Sequence, residues 1–372
     1  MIRLFRSIRN VISLCIFRIL NPSTVIIYIE TNIFGHAILE SEIAFQQVLN
    51  TPQDKYILAT HEQSANMELT NQLITIFQEY RGIKHSKIAN YAIQGKDVIR
   101  NRMKIDVDLK VLNFQSELTH QTASNISLQE PKMLQVIDSR IANIVPQFRD
   151  NLLVMNRSET YKKYQEDSNL HKYRNFSFTP LAAALSESHN SNQFARIGSL
   201  DNRGDSSAIR DLRPQLAGNQ EFDLSVQLSS KGYFGADSGP CWAALVLGKP
   251  VGFINMIPLN QPCPSDPRKL IVIFKPLYSM LDKRLLTLTE MVTPFISNLR
   301  STIQYERANI EPIENNKEDI AACLEDYMNL LNKPQNSDYD YEKMNWIREE
   351  LNVSTLPSIS SRYLHLHPEI KV

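Results

Sequence analysis

The sequence predicts an α/β protein of two lobes, and three observations carry that prediction. At 372 residues the chain exceeds the roughly 250–300 that one hydrophobic core serves. A β-branched run, Thr24-Val25-Ile26-Ile27-Tyr28-Ile29, is followed by a glycine-containing turn and then by helical periodicity, which is how an α/β unit begins. Further on, a strand over 233–236, the loop Asp237-Ser238-Gly239-Pro240, a helix over 241–247, the breaker Gly248-Lys249-Pro250 and a strand over 251–255 follow one another. That order gives two parallel strands joined by a crossover helix.

Residues 1–20 carry apolar side chains at helical spacing, with Arg3, Arg6 and Asn10 on the other face and Arg9 and Arg18 at its borders. The apolar run over 11–17 is too short to span a bilayer, which takes about 20 residues, and no small-residue cleavage site follows it. Two readings stand: a first helix packed on the protein's own body, or a basic amphipathic helix lying in a membrane interface.

In the first lobe, over 21–150, the strand over 24–29 ends at Asn32-Ile33-Phe34-Gly35-His36, and a helix over 37–49 follows. Ligands of parallel α/β folds sit at the carboxyl ends of strands, so Gly35-His36 stands at a functional address. A strand over 55–59, a helix over 68–80 and a helix over 133–144 complete the pattern; 96–103 and 107–114 read as loops or helix starts. Neither a P-loop nor a dinucleotide-binding glycine fingerprint is present.

The second lobe, over 151–300, opens with a strand over 151–156 that ends in Arg157-Ser158-Glu159. A polar loop over 161–173 leads to Tyr173-Arg174-Asn175 and a helix over 176–188 with Thr179-Pro180 in its first turn. A short strand over 193–198 turns at Gly198, 201–218 reads as loop and 223–230 as helix. The Asp237-Ser238-Gly239 loop suits an anion, because small residues let backbone N–H groups approach it and the next helix brings its positive end. Arg157 and Arg196, at neighbouring strand ends, can supply guanidinium forks for phosphate. Residues 301–372 form a helical extension, with helices over 319–331 and 342–351. Leu364-His365-Leu366-His367 alternates like a strand or an extended tail.

Composition limits the function classes. The 42% hydrophobic and 22% charged fractions are those of a globular chain. Lys+Arg and Asp+Glu number 40 each, which argues against a nucleic-acid partner. Cys15, Cys241, Cys263 and Cys323 lie far apart without a C-x-x-C pair, so no zinc site is expected, and free thiols suit a reducing, cytoplasmic compartment.

The ordered set Leu152-Val154-Arg157, Tyr173-Arg174-Asn175, Ala195-Arg196-Ile197-Gly198, Asp237-Ser238-Gly239 and Gly248-Lys249-Pro250, then Asn255-Met256-Ile257-Pro258, resembles a family of bacterial glycosyltransferases associated with surface-polysaccharide gene clusters. Ile33-Phe34-Gly35-His36 resembles that family's I-G-H loop with one residue inserted. Lys275 and Leu288-Thr289-Glu290 resemble its later lysine and L-S/T-x-E-I elements. The resemblance covers most of 24–295. Met155-Asn156 departs from it where the family has a histidine before the arginine, and Ser158 where it has an aspartate.

The resemblance implies two Rossmann-like lobes with an interlobe cleft (the GT-B fold). It also implies metal-independent transfer from a nucleotide-sugar donor, with no separate cofactor, to a glycan or lipid-linked acceptor. Arg157, Arg174, Arg196, Gly198, Ser238, Gly239 and Lys275 would then bind the donor, with Glu290 on its ribose. His36 would take the acceptor proton; the plainer role for His36 is a helix cap or a loop hydrogen bond. Asp237 reads as a sugar contact or a cap on the helix at Cys241. Two alternatives are a polyol-phosphate transferase on the same scaffold and a non-catalytic binding protein of a polysaccharide assembly complex. A transferase of either kind would work in the cytoplasm, and the membrane reading of residues 1–20 would place it at the inner face of the membrane.

Overall fold

The computed structural model describes residues 2–21, 23–31, 34–51, 55–103, 111–113, 133–141, 146–157, 171–188, 193–200, 209–259, 270–332 and 358–370. The expected helix over 342–351, most of the loop over 161–173, Ser158, Cys263 and the side chain of His36 lie outside the described residues. The chain is mixed α/β with parallel sheets and divides into two compact units.

The first unit contains α1 (Ile2–Leu20), β1 (Thr24–Ile29), α2 (Phe34–Asn50), β2 (Lys55–Thr60), α3 (Met67–Arg81), β3 (Lys84–His85), α4 (Lys87–Met103), β4 (Val111–Asn113) and α5 (Met133–Ile141). Its sheet runs β3-β2-β1-β4, and every pairing is parallel. Ile26, Ile27 and Ile29 of β1 are all buried, as expected where helices cover both faces of a parallel sheet. α2 begins at Phe34, earlier than expected, so Gly35 and His36 belong to its first turn. Asn66 caps α3 by accepting from Leu69 N at 2.9 Å, and Gly82 ends that helix with φ 63°, a left-handed conformation in which a side chain is strained. The buried Glu42 carboxylate receives the N–H groups of Met133 and Leu134, both at 3.1 Å, and so caps α5.

Helix α1 forms as its period predicts, but the face it buries is not the apolar one. Asn10, Ser13, Leu14 and Phe17 pack inward, and Leu14 and Phe17 meet Ala89 and Ala92 of α4 in one core cluster with Ile26. Asn10 Nδ2 donates to Gln94 Oε1 at 2.9 Å, which satisfies the polar group in that seam. Helix α4 also corrects the expectation for 96–103: it starts at Lys87, and its small buried alanines are what admit α1.

The second unit contains β5 (Leu152–Met155), α6 (Phe178–Glu187), β6 (Phe194–Arg196), β7 (Arg210–Asp211), α7 (Gln220–Ser229), β8 (Gly232–Gly235), α8 (Gly239–Val246), β9 (Val251–Met256), β10 (Leu270–Phe274), β11 (Leu277–Ser279), β12 (Arg284–Leu285), β13 (Ile310–Pro312), α9 (Lys317–Asn332) and β14 (Ser358–Ile359). Seven parallel strands run β14-β10-β9-β8-β5-β6-β7, and β12-β11-β13 form a small antiparallel sheet. The expected loop over 201–218 is not all loop: β7 and the short helix Arg213–Leu216 lie within it. Arg213 grips the Asp211 carboxylate through Nε at 2.8 Å and Nη2 at 2.6 Å.

The described residues after 301 are integral to this unit. α9 packs on α6, β9 and β10, and Tyr327 donates to Pro250 O at 3.2 Å. The alternation around His365 and His367 does not make a strand, because Ser361–Leu366 is a helix. Ser360 caps it, and the buried Asp326 carboxylate accepts from Ser360 Oγ at 2.8 Å and Arg362 N at 3.1 Å. His367 follows, with Nε2 2.6 Å from Asp319 Oδ1 and Nδ1 2.9 Å from Glu369 Oε1. Burial pulls the His367 pKa down, but those two carboxylates outweigh it and hold it above 6.5. A histidine with a raised folded pKa contributes stability that is complete below 6.5 and is lost as pH rises through the folded value. His367→Gln is therefore expected to lower unfolding free energy on the order of 1 kcal/mol at pH 6, and much less at pH 9. Equal losses in urea titrations at the two pH values would show that no imidazolium forms.

Candidate functional site

The strand order β7-β6-β5-β8-β9-β10 is the 3-2-1-4-5-6 arrangement of doubly wound sheets. The chain leaves β5 toward one edge and returns at β8 to build toward the other. The carboxyl ends of β5 and β8 therefore flank a topological switch point, the usual ligand address in such sheets. From β5 comes Met155-Asn156-Arg157, and from β8 Gly235-Ala236-Asp237-Ser238; all but the glycine and Ala236 bring a side chain with reach. Gly235 has φ 155°, and a Cβ on it would strike the Met155 backbone, so the two strand ends approach as closely as they do only because this residue is glycine. Ala236 N continues the ladder to Met155 O at 2.8 Å.

Across this edge runs a strap, Tyr173-Arg174-Asn175-Phe176, entered by a 3-10 turn over Lys172–Arg174. Phe176 N donates to Arg157 O, and Asn156 Nδ2 donates to Phe176 O, each at 3.0 Å. Arg174 Nη2 reaches Asp237 Oδ2 at 2.6 Å and Asp237 O at 3.2 Å. From the end of β10, Lys275 Nζ donates to Asn175 O at 2.6 Å. Tyr173 N donates to Thr302 Oγ1 at 3.3 Å, and the Tyr173 ring lies 5.0 Å from that of Tyr305.

Charge gathers around this strap. Burial raises the Tyr173 phenol pKa, while the positive charges of Arg174, Arg300 and Arg157 pull it down. Burial works against the charged form of Arg174, but Asp237 outweighs it and raises its pKa. Arg300 is lowered, by burial first and by Arg174 among its neighbours. Lys275, only 3% exposed, falls to about 8 through burial, partly offset by Glu314. Among the described residues this site holds more guanidinium groups than carboxylates, a balance that favours an anion with more than one charged oxygen.

The expected site residues divide by position. Arg157, Arg174 and Lys275 come together at the strap, with Ser238 and Gly239 beside them at the start of α8. The Ser238 hydroxyl is turned inward, 3.1 Å from Tyr233 Oη and 3.3 Å from Ala236 O, rather than capping its helix. Asp237 does not cap it either, because its carboxylate is taken by Arg174. Arg196 sits one strand away, 1% exposed, its guanidinium carbon 3.5 Å from the centre of the Phe178 ring. Burial, helped by Arg213, lowers its pKa to about 10. Gly198 turns the chain beyond it with φ 111°. Glu290 joins a capping box with Thr287 and accepts from Arg284 at 2.8 and 2.5 Å; hydrogen bonds from Arg284 lead the causes that bring its pKa to about 2. Arg300 and Tyr305 were missed. Neither belongs to a motif, and the only local signal is Ser301, which follows Arg300 and caps the helix Thr302–Arg307 that carries Tyr305.

The Arg174–Asp237 pair is mostly buried, with side-chain exposures of 19% and 7%. Removing one member strands the other's charge, which costs about 3–5 kcal/mol in such pairs, whereas apolar replacement of both costs far less. Asp237→Ala is thus expected to lower unfolding free energy by about 3 kcal/mol, and the double variant Arg174→Met/Asp237→Leu to recover most of it in urea denaturation. A loss below about 1 kcal/mol in the single variant would mean that the pair behaves as an exposed one.

No protein-family model matches the chain, and no curated protein matches it in sequence. Among solved structures it is similar to the ADP-heptose LPS heptosyltransferase II of E. coli, at 14% identity over 67% of this chain and 90% of that one, with a TM-score of 0.40.

Proposed function

We propose that the chain is a glycosyltransferase of the GT-B type whose second unit binds a nucleotide-sugar at the β5–β8 switch point. The observation that carries this reading is the strap: tied to Arg157 O, to Asp237 through Arg174 and to Lys275, it crosses the carboxyl ends of β5 and β8 beside the start of α8, at the address where doubly wound sheets bind nucleotides. The order of motifs from Arg157 to Asn255 supports it independently.

Sugar transfer breaks the bond from the anomeric carbon to the diphosphate, and the departing electron pair leaves a new charge on a phosphate oxygen. Fixed guanidinium groups and the amide end of α8 stabilise that charge without having to reorganise. Lys275 acts in this reading as the tether of Asn175. Arg196 holds the β6–α6 edge, and Glu290 orders the loop after β12. The incoming hydroxyl, of a glycan or lipid-linked acceptor, loses its proton to a base, for which His36 at the head of α2 is the candidate.

A ligand that binds only the native state raises the melting temperature, by about 2.7 kcal/mol of added stability at 100 times its Kd. One of UDP, GDP, CDP, dTDP and CMP, at millimolar concentration with magnesium or with chelator, is expected to raise it. Arg157→Gln, compared with its own unliganded baseline, is expected to weaken that nucleotide about 10- to 100-fold, the worth of a charged hydrogen bond. No increment with any of the five nucleotides would overturn the reading.

A further inference from the structure

The first unit holds a cavity of about 530 Å³ at the carboxyl ends of β2 and β3. That is within the range of about 300–1,000 Å³ usual for small-molecule sites. Its wall joins α1, through Arg6 and Arg9, to the start of α4, through Lys87 and Tyr91, and to His61-Glu62 after β2. Three permanent cations among the lining residues thus face the single carboxylate of Glu62. Arg9 is held on three sides: 3.7 Å above the Tyr91 ring, 3.1 Å from Asn10 Oδ1 and 3.4 Å from Glu62 Oε1. His85 adds a polar ring 3.1 Å from Thr60 Oγ1, and burial with Lys87 lowers its pKa, which favours the neutral form. The lining therefore combines fixed positive charge with neutral hydrogen-bonding groups, the chemistry that holds a phosphate ester.

The helix that walls this cavity also turns an apolar face outward. Phe5, Ile8, Ile12, Ile16 and Ile19 are between 43% and 78% exposed, and their spacing puts them on one side of α1. Arg9 lies at one border of that face and Arg18 at the other. The opposite side is committed to α4, so the apolar face cannot roll inward. No described helix is long and apolar enough to cross a membrane. A helix of this pattern lies in the bilayer interface, its apolar side among the acyl chains and its arginines at the anionic headgroups.

We propose that the cavity is the headgroup site for a phosphate-bearing lipid, entered from a bilayer in which the outer face of α1 is embedded. Arg9 connects the two parts, since it lines the cavity and borders the apolar face. Naming that lipid as the acceptor rests on the transferase reading; the binding itself does not.

The test is flotation of the full chain with vesicles of phosphatidylcholine alone or with one-fifth phosphatidic acid. The protein is expected to float with the phosphatidic acid vesicles at least tenfold better. Lys87→Glu is expected to remove most of that preference, a charge near the surface being worth about fivefold or more. Ile12→Glu/Ile16→Glu, at exposed positions, is expected to abolish flotation on both vesicles with the melting temperature and any nucleotide increment unchanged. Absence of flotation, or flotation with a preference that Lys87→Glu leaves intact, overturns the proposal. So does a melting-temperature increment with inorganic pyrophosphate, lost in Lys87→Glu, in a protein that does not float: the cavity would then take a soluble anion. Failure of flotation alongside a retained nucleotide increment would sink the lipid site and leave the transferase reading standing.

Discussion

The candidate donor site depends on one contact, the ion pair between Arg174 on the strap and Asp237 at the end of β8. Two charges withdrawn from water are tolerated only when they meet at close range and their remaining valences are filled. Here the distance is 2.6 Å, and the second contact of Arg174 is the Asp237 carbonyl, so one side chain secures both the carboxylate and the backbone of the loop. The other ties of the strap, to Arg157 O, Asn156 and Lys275, come from the ends of β5 and β10. The pair sets where the strap crosses the edge, and the remaining bonds hold it along its length. Arg157 and Arg300 stand near Tyr173 because of that crossing.

What could be read from the residues follows from how local its causes are. β1, β2, β8 and β9 were legible because β-branched or aromatic runs bounded by turn residues have few other uses. α3 was legible from its apolar period. α4 was not, because Ala89, Asn90 and Ala92, which face α1 or the cavity, carry too little hydrophobicity to mark a stripe. β7 was hidden in a hydrophilic stretch, because its two residues, Arg210 and Asp211, are polar and the apolar anchors, Ile209 and Leu212, stand one on either side of it. The alternation of Leu364-His365-Leu366-His367 suggested a strand, and a buried carboxylate 35 residues or so upstream, Asp326, makes it a helix by capping the turn that precedes it.

The site was legible in the same uneven way. Arg157, Arg174 and Ser238 belong to motifs whose order along the chain is informative, and the fold assembles them at one strand edge. Arg196 belongs to a motif too, but the sequence could not show that its guanidinium lies over the Phe178 ring. Arg300 and Tyr305 reach Tyr173 from more than a hundred residues away, a tertiary contact with no local signature. Asp237 looked like a cap because it precedes a helix, yet an arginine within reach outcompetes a backbone N–H for a carboxylate.

Helix α1 poses the sharpest conflict between pattern and placement. A helix with one apolar side normally buries that side, and the hydrophobic stabilisation forgone by exposing five large residues amounts to several kcal/mol at about 25 cal/mol per Å². The opposite seam offers a smaller gain, since only Leu14 and Phe17 enter the core there, alongside the polar Asn10 and Ser13. What that seam supplies is orientation. Asn10 finds its partner in Gln94, and Arg9 lies over Tyr91, so both contacts fix the rotation of α1 about its own axis. A helix held by rotation-specific polar contacts, with its apolar side exposed among the described residues, fits the proposed interfacial role at a bilayer surface. The arginine at each border of the apolar side narrows that surface to an anionic one, because a neutral protein face would gain little from either charge while a bilayer with phosphate headgroups would engage both.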